Sequence, residues 1–251
     1  MSQPRVLYAI AQSRPFDSLL VRDMKSAVNA LIQLNLKRFR VPQKTMTKYS
    51  ALDVMKQALE LLFEFTPSEK NYREAMRTIQ VYSEGDVEMV RTLKSSFKFI
   101  ANAIYNTYAG QRYAEKLSPE VLFLQGLPFD QTELQQAFRY VGVKPPDICS
   151  PTVKKTYFLD QGYEPYSLFL DHGVGVEPQK GREDHWSNII EGALLESSGR
   201  ALMRVGADHT ESHSIRLIHK DTGHLVSILK KRGIEVEIAE RITDVNEAFG
   251  R

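Results

Sequence analysis

The chain has 251 residues, 42% of them hydrophobic and 25% charged, with a formal net charge of +2. This is ordinary globular material, long enough for one large domain or two smaller ones, and it excludes disorder as a description of the whole. No apolar run approaches the roughly 20 residues that a membrane helix needs, and the apolar part of "MSQPRVLYAIAQSRPFD" is too short for a signal peptide, so the expectation is a soluble protein, cytoplasmic or delivered as an effector.

"RVLYAIAQ" reads as a buried strand, and "SRPFD" breaks it before Asp17 or Ser18 caps a helix with Leu20, Met24, Val28 and Leu31 at helical spacing. Three helical segments follow, from Ser50 to Phe65, from Pro67 to Tyr82 and from Glu84 to about Ala109. A second strand, Val121 to Gln125, leads through another "PFD" break into a helix from Asp130 to Tyr140. "VKPPDICSPTVKK" reads as a linker, because Pro145, Pro146 and Pro151 block regular structure. Beyond it "YSLFLDHG" reads as a strand, "REDHWSNIIEGALLESSG" as a helix and "RALMRVGADH" as a strand. "DTGHLVSILKKRG" reads as a helix stopped by Gly233, and "IEVEIAE" as a last strand.

Strand and helix alternate, which predicts an α/β protein with a mainly parallel sheet, flanking helices and a helical insertion at about 50 to 115. The expected organisation is a first part, 1–145, with two strand-helix units and the insertion, and an α/β half, 146–251, the two together forming either separate domains or one composite domain.

Charge is segregated, since residues 1 to 50 hold nine lysines and arginines against only Asp17 and Asp23. Lys37, Arg38, Arg40, Lys44 and Lys48 occur without an intervening acid, which suits either a solvated connection or an anionic partner.

All six histidines lie between His172 and His224, and three follow an aspartate, in Asp171-His172, Asp184-His185 and Asp208-His209. Polar groups at the carboxyl ends of parallel strands converge on a crevice. Asp171-His172 and Asp208-His209 sit at such predicted ends, next to Gly173 and Gly206. His172 and His209 with Asp171 or Asp208 therefore make a candidate site for a divalent metal ion such as zinc; the alternative is that they cap strand ends by hydrogen bonds. Gly206 itself suggests a positive φ or a close backbone approach.

Cys149 is the only cysteine, so neither an internal disulfide nor a cysteine knuckle can form, and covalent catalysis has no supporting motif. Glu177, in the glycine-rich "GVGVEPQKG", is a candidate to deprotonate water or simply a turn residue. Arg182 could bind a substrate carboxylate or phosphate, or pair with an acid on its own turn. His213, four residues after His209, has no helical register with it and reads as a loop residue, and His224 as helix entry.

"REDHWSNIIEGALLESSGRALMRVGADHT" followed by "GHLVSILKKRGIEVEIAE" resembles the C-terminal part of the TraB and Tiki superfamily. That superfamily includes erythromycin esterase-like enzymes, haem-uptake proteins and Tiki metalloproteases. Arg182 and Glu183 match its arginine-acid pair at a helix start, and "GADH" makes His209 the counterpart of its late functional histidine. The family's early Gly-Glu-x-x-His signature has no counterpart, because no histidine precedes His172. The resemblance implies metal-assisted hydrolysis of an ester or peptide bond, with His172, His209, Asp171 and Asp208 around the ion, Glu177 or Glu183 activating water, and Arg182 beside them. Two alternatives stay open: a non-catalytic relative that acts as a binding module, alone or as part of a bacterial effector, and a haem protein with His172 or His209 as axial ligand.

Overall fold

The computed structural model describes residues 5–13, 18–40, 50–64, 67–83, 86–144, 152–164, 166, 181–197, 199–210 and 225–249, with backbone alone at 18–19, 35–40, 208 and 246. In chain order the elements are β1 (Arg5–Gln12), α1 (Ser18–Arg40), α2 (Ala51–Phe63), α3 (Glu69–Tyr82), α4 (Val87–Leu117), β2 (Val121–Leu124) and α5 (Gln131–Tyr140). They continue with β3 (Lys155–Phe158), α6 (Arg182–Glu196), β4 (Ala201–Gly206), α7 (Leu225–Lys231), β5 (Ile234–Ile242) and α8 (Val245–Phe249).

The five strands form one sheet of order β3-β2-β4-β1-β5, and every neighbouring pair is parallel. The protein is therefore α/β, as the alternation of strand and helix predicts. β4 lies between β1 and β2, with Gln12 opposite Gly206 and Leu124 opposite Arg204. Its six residues are all buried, as are the four of β2, which is why β2 reads as a continuous apolar run and β4 as one interrupted only by Arg204. The edge strand β5 carries Glu235, Glu237, Glu240 and Arg241, charges that discourage pairing with another chain.

The chain forms two compact units built from interleaved segments. The first comprises 1–20, 106–129 and 147–242 and contains the whole sheet. Alternate residues of its strands, Leu7 and Ala9, Val121 and Phe123, Ala201, Met203 and Val205, join Trp186, Ile190, Ala193 and Leu194 of α6 and Leu225 and Leu229 of α7 in one apolar cluster. The α6 members recur at the three- and four-residue spacing that gives a helix one apolar stripe.

The second unit comprises 21–105, 130–146 and 243–251 and is helical throughout its described residues. Ser50 caps α2 in a reciprocal arrangement with Asp53, and Ser68 caps α3 by accepting from Asn71 N. α2 packs against α3, and Tyr72 of α3 meets Phe97 of α4 with ring centroids 6.0 Å apart.

Several boundaries differ from the sequence-based expectation. Ser68, not Pro67, opens α3, because its hydroxyl satisfies an amide that proline cannot. α4 runs on to Leu117, eight residues past the expected end, and α1 continues to Arg40 through the basic stretch. β3 is a strand no pattern announced; it is four residues long, only partly buried and placed at the sheet edge. The expected strand "YSLFLDHG" lies outside the described residues. No helix of the described residues is long and apolar enough to cross a membrane.

Candidate active site

Because all five strands are parallel, their carboxyl ends lie along one edge of the sheet, and that edge carries a dense group of buried polar side chains. The centre is Asp160, two residues past β3 and fully buried. Its Oδ1 accepts from Arg182 Nε at 2.7 Å and from the Trp186 indole N–H at 2.8 Å. Its Oδ2 accepts from Arg182 Nη2 and from Gly126 N, both at 2.7 Å.

Four donors on one carboxylate compensate the desolvation of the charge, as a buried ion pair requires. The backbone locks the same contact, since Asp160 N donates to Gly126 O at 3.1 Å. Gly126 adopts φ +94°, a left-handed conformation that a side chain would strain, and this lets both of its peptide groups face Asp160. The Arg182 guanidinium also lies 4.3 Å from the Tyr166 ring centroid and 4.6 Å from that of Trp186, within cation–π range of both.

One residue along the same helical turn, Glu183 faces the end of β4. There a short 3-10 turn, Ala207–His209, is closed by the Thr210 hydroxyl donating to Ala207 O at 2.9 Å. The turn packs against β1 and holds His209 with Nδ1 2.8 Å from Glu183 Oε1. Both side chains are buried, and the Trp186 ring lies 4.5 Å from the imidazole, inclined by 58°.

A carboxylate that accepts from Nδ1–H selects one neutral tautomer and leaves the ring's chemistry to Nε2. In helix α6, residues 182 and 186 share one face by their four-residue spacing, and 183 and 186 share the next by three. Trp186 thus belongs to both sets: it donates to Asp160 and packs on His209.

Amide side chains complete the edge. Gln125 Oε1 accepts from Gly206 N at 2.7 Å, closing the end of β4, and Gln12 Nε2 donates to Asn106 O at 3.0 Å. Asn106 Nδ2 donates to Ser13 Oγ at 3.3 Å. At the periphery His185 Nε2 is 3.0 Å from Gln161 O and its ring sits beside Tyr163, whose hydroxyl is held above its ordinary range by burial, with Arg182 opposing the shift and Asp160 adding to it.

Of the residues singled out in the sequence, the structure brings together Arg182, Glu183 and His209. Arg182 pairs with Asp160, 22 positions away. Glu183, one of the two candidates to activate water, is engaged on the imidazole. Gly206 has φ −58°, an ordinary value that any residue adopts, which corrects the expectation of a positive φ. Asp171, His172, Glu177, His213, His224, Lys44 and Lys48 lie outside the described residues, and Asp208 is described by its backbone alone. The described residues contain no group of three or more His, Cys, Asp or Glu side chains able to hold a metal.

Asp160 was missed, although the signal was present: "YFLDQG" is an aromatic and apolar run ending in Asp and Gly, the same pattern that drew attention to "LFLDHG". Trp186 and the amides Gln12 and Gln125 carried no signal, because only the sheet order places them at this edge.

The fold and the edge cluster define an α/β protein with a buried carboxylate-histidine pair beyond the carboxyl ends of a parallel sheet. No protein-family model, no curated protein and no solved structure matches the chain.

Proposed function

We propose that the chain is a metal-assisted hydrolase of ester or peptide bonds in which His209, oriented by Glu183, is the working imidazole. The observation that carries this reading is the buried 2.8 Å contact between Glu183 Oε1 and His209 Nδ1 at the carboxyl edge of the sheet. A histidine ligand commonly gives its second ring nitrogen to a carboxylate in this way, which fixes its orientation and raises its basicity. Nε2 of His209 would hold a divalent ion such as zinc, with Asp208, Asp171 and His172 as the further ligands. Such an ion supplies activation of water and polarisation of the scissile carbonyl. Glu183 then serves as the orienting group, Trp186 shields the imidazole from water, and Glu177 remains the candidate base.

The test is elemental analysis of the purified chain and of His209→Ala, before and after chelation, together with zinc-dependent hydrolysis of p-nitrophenyl acetate and of labelled casein. Bound zinc in the wild type, lost in the variant along with hydrolysis, is the expected result. Absence of metal and of zinc-dependent hydrolysis in the wild type would overturn the proposal.

One observation favours a second reading: His209 is only 1% exposed and packs on Trp186, as a purely structural pair would. The chain would then be a non-catalytic binding module. Lys37, Arg38 and Arg40, in the last turns of α1, with Lys44 and Lys48 beyond it, would meet an anionic partner. In that case His209→Ala lowers stability without touching metal content, and replacing the five cations by glutamine weakens adhesion to acidic lipid vesicles.

A further inference from the structure

We infer that Asp160 is the positioning residue of the Glu183–His209 pair, acting through the first turn of α6. The inference rests on the reading of that pair as the working group, and it assigns a role to a residue that touches neither partner in any contact described above.

Asp160 is fully buried and ties three separate pieces of chain to one point: Gly126 after β2, its own position after β3, and α6 through Arg182 and Trp186. Arg182 and Trp186 are four residues apart, so gripping both fixes the rotation of the helix about its axis as well as its height along it. Glu183 lies between them. Once that rotation is set, Glu183 projects toward the end of β4, where it meets His209 Nδ1. Trp186 transmits the same constraint directly, since one end of the indole donates to Asp160 while the ring bears on the imidazole.

An asparagine cannot replace Asp160. Each carboxylate oxygen accepts two hydrogen bonds, so an amide nitrogen in either orientation would place a donor against two donors, Arg182 Nη2 and Gly126 N or Arg182 Nε and the Trp186 indole. Asp160→Asn therefore loosens the turn while conserving volume.

The experiment reads the tautomer of the neutral His209 ring by long-range proton–nitrogen correlation in the full-length 15N-labelled chain, with zinc affinity measured in parallel. In the wild type a single tautomer protonated at Nδ1 is expected. In a folded Asp160→Asn the expected result is a mixture of tautomers and zinc affinity lower by about 10- to 100-fold. Leu194→Ala, a core truncation on the same helix, is the control for general destabilisation and should leave the tautomer unchanged. A folded Asp160→Asn that keeps the single Nδ1–H tautomer overturns the inference, as does a mixture in Leu194→Ala. If Asp160→Asn fails to fold, Trp186→Phe decides, because it removes one of the four donors and keeps a ring beside His209: a mixture supports the inference and an unchanged tautomer overturns it. A wild type that binds no zinc defeats the proposed hydrolase, while the tautomer comparison still decides the role of Asp160.

Discussion

Trp186 and His209 lie with ring centroids 4.5 Å apart, and Trp186 is the only tryptophan in the chain. Intrinsic fluorescence therefore reports on the site without labelling. His209→Leu removes the ring that packs on the indole and should change the emission intensity. Because Trp186 is fully buried, its emission maximum should stay at short wavelength as long as the site is closed. Leu195→Ala, at an exposed position of the same helix, should leave the spectrum alone. Equal intensity in wild type and His209→Leu would mean that the rings do not meet in solution.

The Glu183–His209 bond should be measurable as a coupling. His209→Leu takes the imidazole away from a buried carboxylate and should cost about 1 to 3 kcal/mol in urea denaturation, read from the midpoint at constant slope. Glu183→Leu and the double variant complete the cycle, with an expected coupling of roughly 0.5 to 3 kcal/mol. Additive losses would argue against the bond.

Gly110 of α4 is a site where one methyl group decides the packing. A Cβ there would fall on the guanidinium of Arg204, 2.5 Å from Cζ and 2.8 Å from Nε, and Arg204 is fully buried, so the guanidinium would have to shift within packed surroundings. Gly110→Ala should destabilise the chain by about 1 to 3 kcal/mol despite its better helix propensity. Gly192→Ala in α6 is the counterpart, since nothing lies within 4 Å of its Cβ position, and it should stabilise by roughly 0.5 to 1 kcal/mol. Thermal melts of both variants check the pair, and equal shifts would contradict the packing at Arg204.

The α2 cap has a definite pH signature. Hydrogen bonds from Ser50 hold the Asp53 carboxyl below its ordinary 3.8, against a smaller opposing effect of burial. A depressed carboxylate contributes its stability fully above about pH 3.8 and loses it as the pH falls through the lower folded value. Ser50→Ala should therefore cost about 1 kcal/mol near neutrality. The gap to wild type should narrow below pH 3.8. A gap that is constant down to acid pH would show that the carboxylate takes no part in the cap.

The parallel sheet was legible because β2, the middle of β1 and the residues of β4 around Arg204 are apolar, as a strand buried on both faces requires, and because α6 alternates with them. β3 was not legible: Lys155 and Thr156 break the apolar run, and one exposed and three half-buried residues at an edge leave little periodic signal. Arg182, Glu183 and His209 could be picked out from their positions at a helix start and a strand end. What could not be read is which acid meets which base. Arg182 next to Glu183 suggests a local pair, whereas the fold also brings the guanidinium to Asp160 and the carboxylate to the imidazole. Helical phase decides this, and phase is fixed by tertiary contacts that no window of sequence contains.

The position of β1 in the sheet has a consequence for biosynthesis. Among the described strands, β1 comes first in sequence and hydrogen-bonds to β4 and β5, which come last. Its apolar residues Leu7, Ala9 and Ile10 meet the first of these partners only once β4, Ala201–Gly206, has emerged. During that interval the nascent chain exposes a sticky segment of high β propensity, and the sheet closes in one late step governed by contacts of very long sequence separation. Chains truncated before β5 should accordingly depend on chaperones or aggregate, and the His209 turn, which rests on β1, should form only after β4 has been made.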